Sequence, residues 1–477
     1  MTAEALSTQP SSEVHPRRWA AMVVLVLAFM LDLLNVTIVN VGLPAIQRDL
    51  RASPTELEWI SAAYLLAFAV ALITAARLGD LWGRKRVFLV GLTAFGLAGL
   101  WCSVAHNPAE LIAARAAQGL AAAVLAPQVM STLYTMFHGR ERATVFGAFG
   151  IVAGFAQAGG LVLGGALITA DVAGLGWRTI FLVSVPVAVL LVAAGAWLVP
   201  ESRVVGGTRP RWFAAGILTA ALVAIVFPLL EGRGYGWPIW CWVCLAAGVL
   251  AVAGLAFAEH RRPAWRAGAL LPVELFRSRA VAAGLTVQLL AFAGFSGFLL
   301  VFALWLQDGQ GYSPLDAGLV TIGFSAGSLV IAPFTGRLTI RFGRLVVLVG
   351  CLLSSVGALG VLAAAQSTSH AVGSWSLVPG LFALGVGINL VMPALVTLFL
   401  AAVPPEYAGS ASGIWNTSQQ FGGAVGVAVL GSIFFGGLDT GSYPAAFTAS
   451  TLTIVAVLVV SAALSLTLST HSRARNA

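Results

Sequence analysis

Ala76-Arg-Leu-Gly-Asp-Leu-Trp-Gly-Arg-Lys-Arg86 separates two long apolar runs, and 260 positions later a degraded copy, Gly336-Arg-Leu-Thr-Ile-Arg-Phe-Gly-Arg344, does the same. Arg77, Leu78, Gly83 and Arg84 recur as Arg337, Leu338, Gly343 and Arg344 at that one offset. A basic, glycine-hinged turn at equivalent points of two halves implies a duplicated membrane protein. Duplicated helical bundles of this kind move solutes by alternating access. The pattern reads as a transporter.

Composition agrees. Charged residues are 9% of the chain and hydrophobic ones 59%, with a mean hydropathy of +0.93; soluble domains carry about 25% charged residues. The formal net charge is +8, yet the 26 basic residues form no continuous tract, so nucleic acid is not an expected partner. Cys102, Cys241, Cys244 and Cys351 all fall inside apolar runs and do not form a disulfide framework or a metal-ligand cluster. The chain has no Gly-x-x-x-x-Gly-Lys-Ser/Thr phosphate loop, no catalytic triad and no metal motif. Neither an enzyme nor a bound cofactor is expected, and uphill transport would draw on an ion gradient.

At roughly 20 apolar residues per membrane-spanning helix, fourteen runs can be counted. They begin near Trp19, Leu57, Val87, Ala109, Ala143, Trp177 and Phe213, then near Trp240, Ala280, Ala317, Leu345, Trp375, Gly409 and Ala445. Residues 1–18 are polar and lack the apolar core of a signal peptide, so the first helix is expected to stay as an anchor. Basic residues collect on the cytoplasmic side. An inside N-terminus places Arg17, Arg18, the 77–86 turn, Arg140, Arg142, the 337–344 turn, Arg473 and Arg475 there, and leaves Arg48, Arg51, Arg178 and Arg233 outside. The expectation is an all-α, multi-pass protein of the cytoplasmic membrane with fourteen transmembrane helices and both termini cytoplasmic. Its parts are an N-terminal tail (1–18), a six-helix bundle (19–200), a linker carrying helices 7 and 8 as an inserted hairpin (201–279), a second six-helix bundle (280–468) and a tail (469–477). The offset pairs helices 1–6 with helices 9–14 by a pseudo-two-fold repeat. One chain holds both halves, so a monomer should function.

Six segments, in order and with that first turn among them, carry a family likeness over about Leu31 to Phe435. They are Asn35-Val-Thr-Ile-Val-Asn-Val-Gly-Leu-Pro44, the Gly-x-Leu-x-Asp-x-x-Gly-Arg-Lys-like turn at 76–85, Leu111-x-x-x-Arg115-x-x-Gln118-Gly119, Trp177-Arg-Thr-Ile-Phe-Leu-Val-Ser-Val-Pro186, Leu306-Gln-Asp-Gly-Gln-Gly-Tyr-Ser-Pro314 and Gly409-Ser-Ala-Ser-Gly-Ile-Trp-Asn-Thr-Ser-Gln-Gln420. The chain resembles the fourteen-spanner drug:proton antiporters of the major facilitator superfamily, the multidrug-efflux type. Four positions depart from the pattern. Asn35 stands where the family usually has an acid, Ala76 replaces a glycine, and Leu81 replaces a common basic residue. Helix 5 reads Gly160-Leu161-Val-Leu-Gly164-Gly165 where antiporters carry a proline after the first glycine. That last departure bears on antiport, not on transport.

Asp32 is the leading candidate for proton coupling. It lies thirteen residues into helix 1, about 20 Å from the cytoplasmic end at 1.5 Å per residue. A carboxylate at mid-membrane costs roughly 2.5–3.5 kcal/mol on insertion scales, and such groups usually face a cavity and serve ion coupling. Asn35, one turn on, can bond the acid or a substrate. The alternative is a structural pairing of Asp32 with another buried polar group. Arg115 is the basic residue placed within a span, and a buried guanidinium must find acceptors, with Gln118 in reach. The resemblance implies a part in proton transfer; a static packing anchor is the alternative. Asp80, Gly83, Arg84 and Lys85 form the expected cytoplasmic gate, a latch of the outward-facing state in which Asp80 accepts hydrogen bonds from a neighbouring helix end. At the second copy Ile340 replaces that acid. Gly160, Gly164 and Gly165 are expected to let helices approach closely.

By the resemblance, the substrate cavity is lined by helices 1, 2, 4 and 5 and by 9, 10, 12 and 13. Candidate substrate-binding groups are Asp32, Asn35, Tyr64, Gln157, Gln288, Phe295, Asn389, Asn416 and Gln419. Phe295, Phe298 and Phe302 form one stripe on helix 9, a spacing that serves core packing more often than ligand binding. An apolar cavity with a few amides and one acid suits hydrophobic or amphipathic molecules, cationic ones among them. The expected function is proton-coupled export of such compounds across the lipid bilayer. The alternatives are lipid or metabolite transport on the same fold without strict antiport, and a non-transporting membrane sensor.

Overall fold

The computed structural model describes residues 17–137, 139–202, 211–261, 270, 273–366, 374–403 and 408–468, and among them every regular element is helical. The long helices of the first half are α1 (Arg18–Leu50), α2 (Pro54–Trp82), α3 (Arg84–Ser103), α4 (Pro108–Met136), α5 (Gly139–Ala170) and α6 (Gly176–Leu198). Then come α7 (Trp212–Glu231) and α8 (Ile239–Arg261). The last six are α9 (Arg279–Gly309), α10 (Pro314–Phe342), α11 (Arg344–Gln366), α12 (Ser374–Ala402), α13 (Ala408–Thr440) and α14 (Tyr443–Ser465). Among the described residues thirteen helices are long and apolar enough to cross a membrane; α5 is represented only by its apolar part, Gly159–Ala170. Every helix start expected from the sequence falls within four residues of the observed one, the widest gap being Ala143 against Gly139.

The helix starts have local causes. Ser53 Oγ accepts from the Glu56 amide at 3.3 Å while Glu56 answers the Ser53 amide at 2.7 Å, with Pro54 in the first helical position. Such reciprocal capping satisfies amides that have no partner within the helix. Ser313, Pro314 and Asp316 build the same start for α10, the serine accepting from the Asp316 amide at 3.1 Å. These residues lie 260 positions after Ser53, Pro54 and Glu56, so the repeat extends to the caps. It extends to the stops as well. α2 and α10 end at Gly83 (φ 97°) and Gly343 (φ 54°), backbone conformations that a glycine adopts without a side-chain penalty.

Packing repeats with the sequence. Within the first half α1 packs on α5 and α6, α2 on α4, and α3 on α4 and α6; within the second, α9 packs on α13 and α14, α10 on α12, and α11 on α12 and α14. Adding eight to each helix number of the first set produces the second. Across the halves, α2 meets α13 and α5 meets α10, two contacts that exchange under the same rule. α7 and α8 pack on each other, and α7 also leans on both α2 and α13.

The halves are joined tightly at the end opposite the two basic turns. A Cβ added at Gly165 of α5 would run into the carbonyl of Pro314, and one at Gly318 of α10 would meet the Leu161 carbonyl oxygen at 2.7 Å. Gln307 Nε2 donates to the Val41 carbonyl at 2.9 Å, tying α9 to α1. Nearer the basic end, Cβ atoms built at Gly159 and Gly336 would find no neighbour within 4 Å. Among the described residues the bundle is thus closed at the end opposite the basic turns.

Candidate functional site

Four polar side chains meet at mid-depth in the first half, all but sealed from solvent: Asp32 on α1, Tyr64 on α2, and Arg115 and Gln118 on α4. The Tyr64 hydroxyl donates to Asp32 Oδ1. The Arg115 guanidinium sits over the Tyr64 ring, 4.3 Å from its centroid. Its Nη1 donates to Gln118 Oε1 at 2.6 Å and its Nε to the Ile60 carbonyl at 3.3 Å. Tyr64 therefore stands between the acid and the cation, with its oxygen on one and its ring under the other. A cation over an aromatic face in a dry site gains about 2 kcal/mol. Gly119 permits the approach, since a Cβ there would collide with the Tyr64 carbonyl. The Gln118-Gly119 pair in the sequence thus supplies one partner for Arg115 and the clearance that brings α4 against α2.

This cluster borders a narrow cleft between the halves, with a cavity volume of about 20 Å³. The first half contributes Asn40, Ser61, Tyr64 and Arg115; the second contributes Phe295, Ser296, Leu299 and Val427. The polar and charged groups of the first half are set among Val36, Val39 and Leu65, and the facing wall is apolar but for Ser296. Ser61 Oγ and Asn35 Oδ1 are buried without a hydrogen-bond partner, and groups left so in a folded protein usually await a water or a ligand. Asn40 and Ser61 are not among the candidates that the sequence offers; Asn40 lies inside the Asn35–Pro44 segment, and Ser61 lies one turn before Tyr64.

Of the expected substrate groups, Tyr64 and Phe295 border the cleft. Asp32 lies behind Tyr64, and Asn35 is buried beside it on α1. Gln288 instead pairs with Gln419, Nε2 to Oε1 at 3.2 Å. Asn416 is exposed and donates to the Ser412 carbonyl of its own helix at 2.9 Å, while the Asn389 carbonyl receives Thr335. The side chain of Gln157 lies outside the described residues. Among the described residues the cleft takes its walls from α1, α2, α4, α9 and α13. The aromatic stripe divides: Phe295 faces the cleft and stacks on Phe324, whereas Phe298, Phe302 and Trp305 stack in sequence toward Phe447 of α14.

At the basic turn, Arg84 pairs with Asp80 at 3.1 Å across Gly83 and reaches the Ser131 carbonyl on α4 at 3.3 Å. Glu201 Oε1 accepts the Lys85 amide at 3.1 Å, and the Ser202 carbonyl accepts the Arg84 amide at 2.9 Å. Asp80, near the end of α2, thus accepts its hydrogen bond from the first residue of the neighbouring helix α3, and the turn is held within its own half. Arg344 does the equivalent in the second half, donating to the Leu466 carbonyl past the end of α14 at 2.6 Å. Gly160 and Gly164 let α5 lie on α1 at Thr37 and Ile38, and Gly165 lets it meet α10.

Comparison with known proteins places this architecture. The Major Facilitator Superfamily matches residues 25–258, 203–427 and 284–477. The probable actinorhodin transporter of Streptomyces coelicolor is 39% identical over 425 residues, 88% of this chain and 73% of that protein. A puromycin resistance protein of Streptomyces alboniger is 36% identical, with 90% and 86% covered. The tetracenomycin C resistance and export protein of Streptomyces glaucescens is 32% identical, with 88% and 77% covered. Among solved structures, a peptide transporter bound to sulfate superposes with a TM-score of 0.66 at 15% identity, covering 94% of this chain and 95% of that one, a likeness of fold alone. The chain belongs to the major facilitator superfamily, whose members are membrane transporters and not enzymes.

Proposed function

We propose that this protein is a fourteen-span secondary transporter that exports hydrophobic or amphipathic compounds, cationic ones among them, by alternating access coupled to proton influx. Two six-helix halves, α1–α6 and α9–α14, rock about the cleft, and α7–α8 is an inserted hairpin. The basic end faces the cytoplasm, so the arrangement described is inward-facing. The observation that carries the reading is the placement of Asp32, Tyr64 and Arg115 against a cleft bounded by both halves. Asp32 binds and releases the coupling proton, Arg115 biases it through the tyrosine, and Asn35, Tyr64 and Phe295 contribute to substrate binding. Asp80, Gly83, Arg84 and Lys85 form a gate that engages the other half when the cytoplasmic side closes. Relatives whose names refer to export of, or resistance to, actinorhodin, puromycin and tetracenomycin support a drug-like cargo.

A second reading, lipid or metabolite transport without strict antiport, is favoured by Leu161 standing where antiporters carry a proline; α5 runs unbroken through it. Inside-out vesicles with an acid interior and a pH-reporting dye separate the two. Substrate-induced proton release in wild type, lost in Asp32→Asn, is the expected result. Substrate movement without proton movement refutes antiport. Full activity in Asp32→Asn refutes the assignment of Asp32.

A further inference from the structure

Glu58, one turn into α2 at the closed end, is fully buried, and both of its carboxyl oxygens are without a hydrogen-bond partner. It lies on the seam between halves: a Cβ added at Gly431 of α13 would come within 2.8 Å of the Glu58 carboxyl carbon. The charged groups facing it belong to the α7–α8 connection, and each is already engaged. Glu231 accepts from Trp59 Nε1 at 2.8 Å, and Arg233 is paired at 2.8 Å with Asp439 at the end of α13. Arg115 of α4 turns away toward Ile60 and Gln118. The α7–α8 connection therefore straps α2 to α13 directly over a carboxyl that has no donor.

An ionised carboxylate without a hydrogen-bond donor, and with its nearest cation Arg233 already paired to Asp439, is strongly disfavoured in such a place. The neutral acid fits it, because its charge is gone and the glycine at 431 leaves room for it. Parting α2 from α13 would bring the same group to water, where it ionises freely. We propose that Glu58 is a second proton-binding site, separate from Asp32, which holds the outer closure shut when protonated and releases it when ionised. The word outer rests on the orientation in the proposed function. In an export cycle the site takes its proton from the outer side as the closure forms and returns it there on opening. It gates the cycle without adding to the protons carried inward.

The test places spin labels at Val172→Cys and Ser442→Cys, exposed positions at the outer ends of the two halves, after Cys102, Cys241, Cys244 and Cys351 are replaced. Distances are measured by pulsed electron resonance in lipid nanodiscs across a pH series. The wild-type distance should lengthen as pH rises. Glu58→Gln, close in shape to the neutral acid, should hold the short distance at every pH. Glu58→Asp, which keeps the acid, should still respond, and so should Asp32→Asn. A wild type indifferent to pH, a Glu58→Gln that tracks it, or a response that vanishes in Asp32→Asn would overturn the proposal. The readout needs neither substrate nor gradient, so failure of antiport in vesicles would sink the proposed function alone.

Discussion

Replacing Tyr64 with phenylalanine removes one oxygen and leaves the ring that carries Arg115 in place. The hydroxyl is the hydrogen-bond partner of Asp32 Oδ1, in a site where both residues are almost wholly buried. A hydrogen bond to a charged group is worth about 1.5–3 kcal/mol, which corresponds to roughly 10- to 150-fold in a rate that depends on it. If Asp32 gains and loses its proton during each cycle, that bond exists in only part of the cycle, and its loss should slow substrate-driven proton release by that factor. The cation over the ring, 4.3 Å from its centroid, should persist, so the melting temperature in detergent should move little. The assay is the initial rate of dye response in inside-out vesicles, taken for wild type, Tyr64→Phe, Asp32→Asn and the double variant. Residues acting as one unit are non-additive; the double variant should be no slower than Asp32→Asn alone. A Tyr64→Phe rate within twofold of wild type, or a double variant whose loss is the product of the two single losses, refutes the shared role.

Four other perturbations test neighbouring parts. Arg115→Lys keeps the charge but loses the planar fork that serves Gln118 and Ile60 at once; coupled transport in the same vesicles should fall by about tenfold or more while expression is retained. Gly165→Val forces a side chain toward Pro314 and Leu315 only where the closed end is shut. At about 1–3 kcal/mol for overpacking, it should shift that equilibrium toward the open form by roughly 5- to 150-fold, read as faster labelling of a cysteine placed in the seam. Phe298→Ala should cost about 3–5 kcal/mol of stability, because the ring is buried in a stack. Phe295→Ala should melt closer to wild type and instead change which compounds compete for transport, since that ring borders the cleft.

The limits of legibility follow from the solvent. Helix ends are readable because charged residues are rare in this chain and gather between apolar runs, next to the serines, prolines and glycines that satisfy or end the backbone ladder. The Ser53 and Ser313 caps and the Gly83 and Gly343 stops are cases of this. Asp32 and Arg115 stood out for the same reason, as charges deep in apolar runs. Azimuth was not readable. A helix that is apolar all round carries no stripe to say which side faces lipid and which faces protein, so Gln288, Asn416 and Gln419 looked as well placed as Tyr64, yet only the last borders the cleft. Glu58 lies one turn from a helix end, where position along the chain predicts contact with water, yet it is fully buried. Depth along the membrane and burial within the protein are independent coordinates. The first can be counted from a helix end, whereas the second depends on what packs across the seam. At Glu58 the partner is Gly431, which lies 373 positions away in a half that need not stay in contact. A polar group whose burial exists in only one arrangement of the halves leaves no local trace in sequence, and that same property makes it able to sense which arrangement the protein is in.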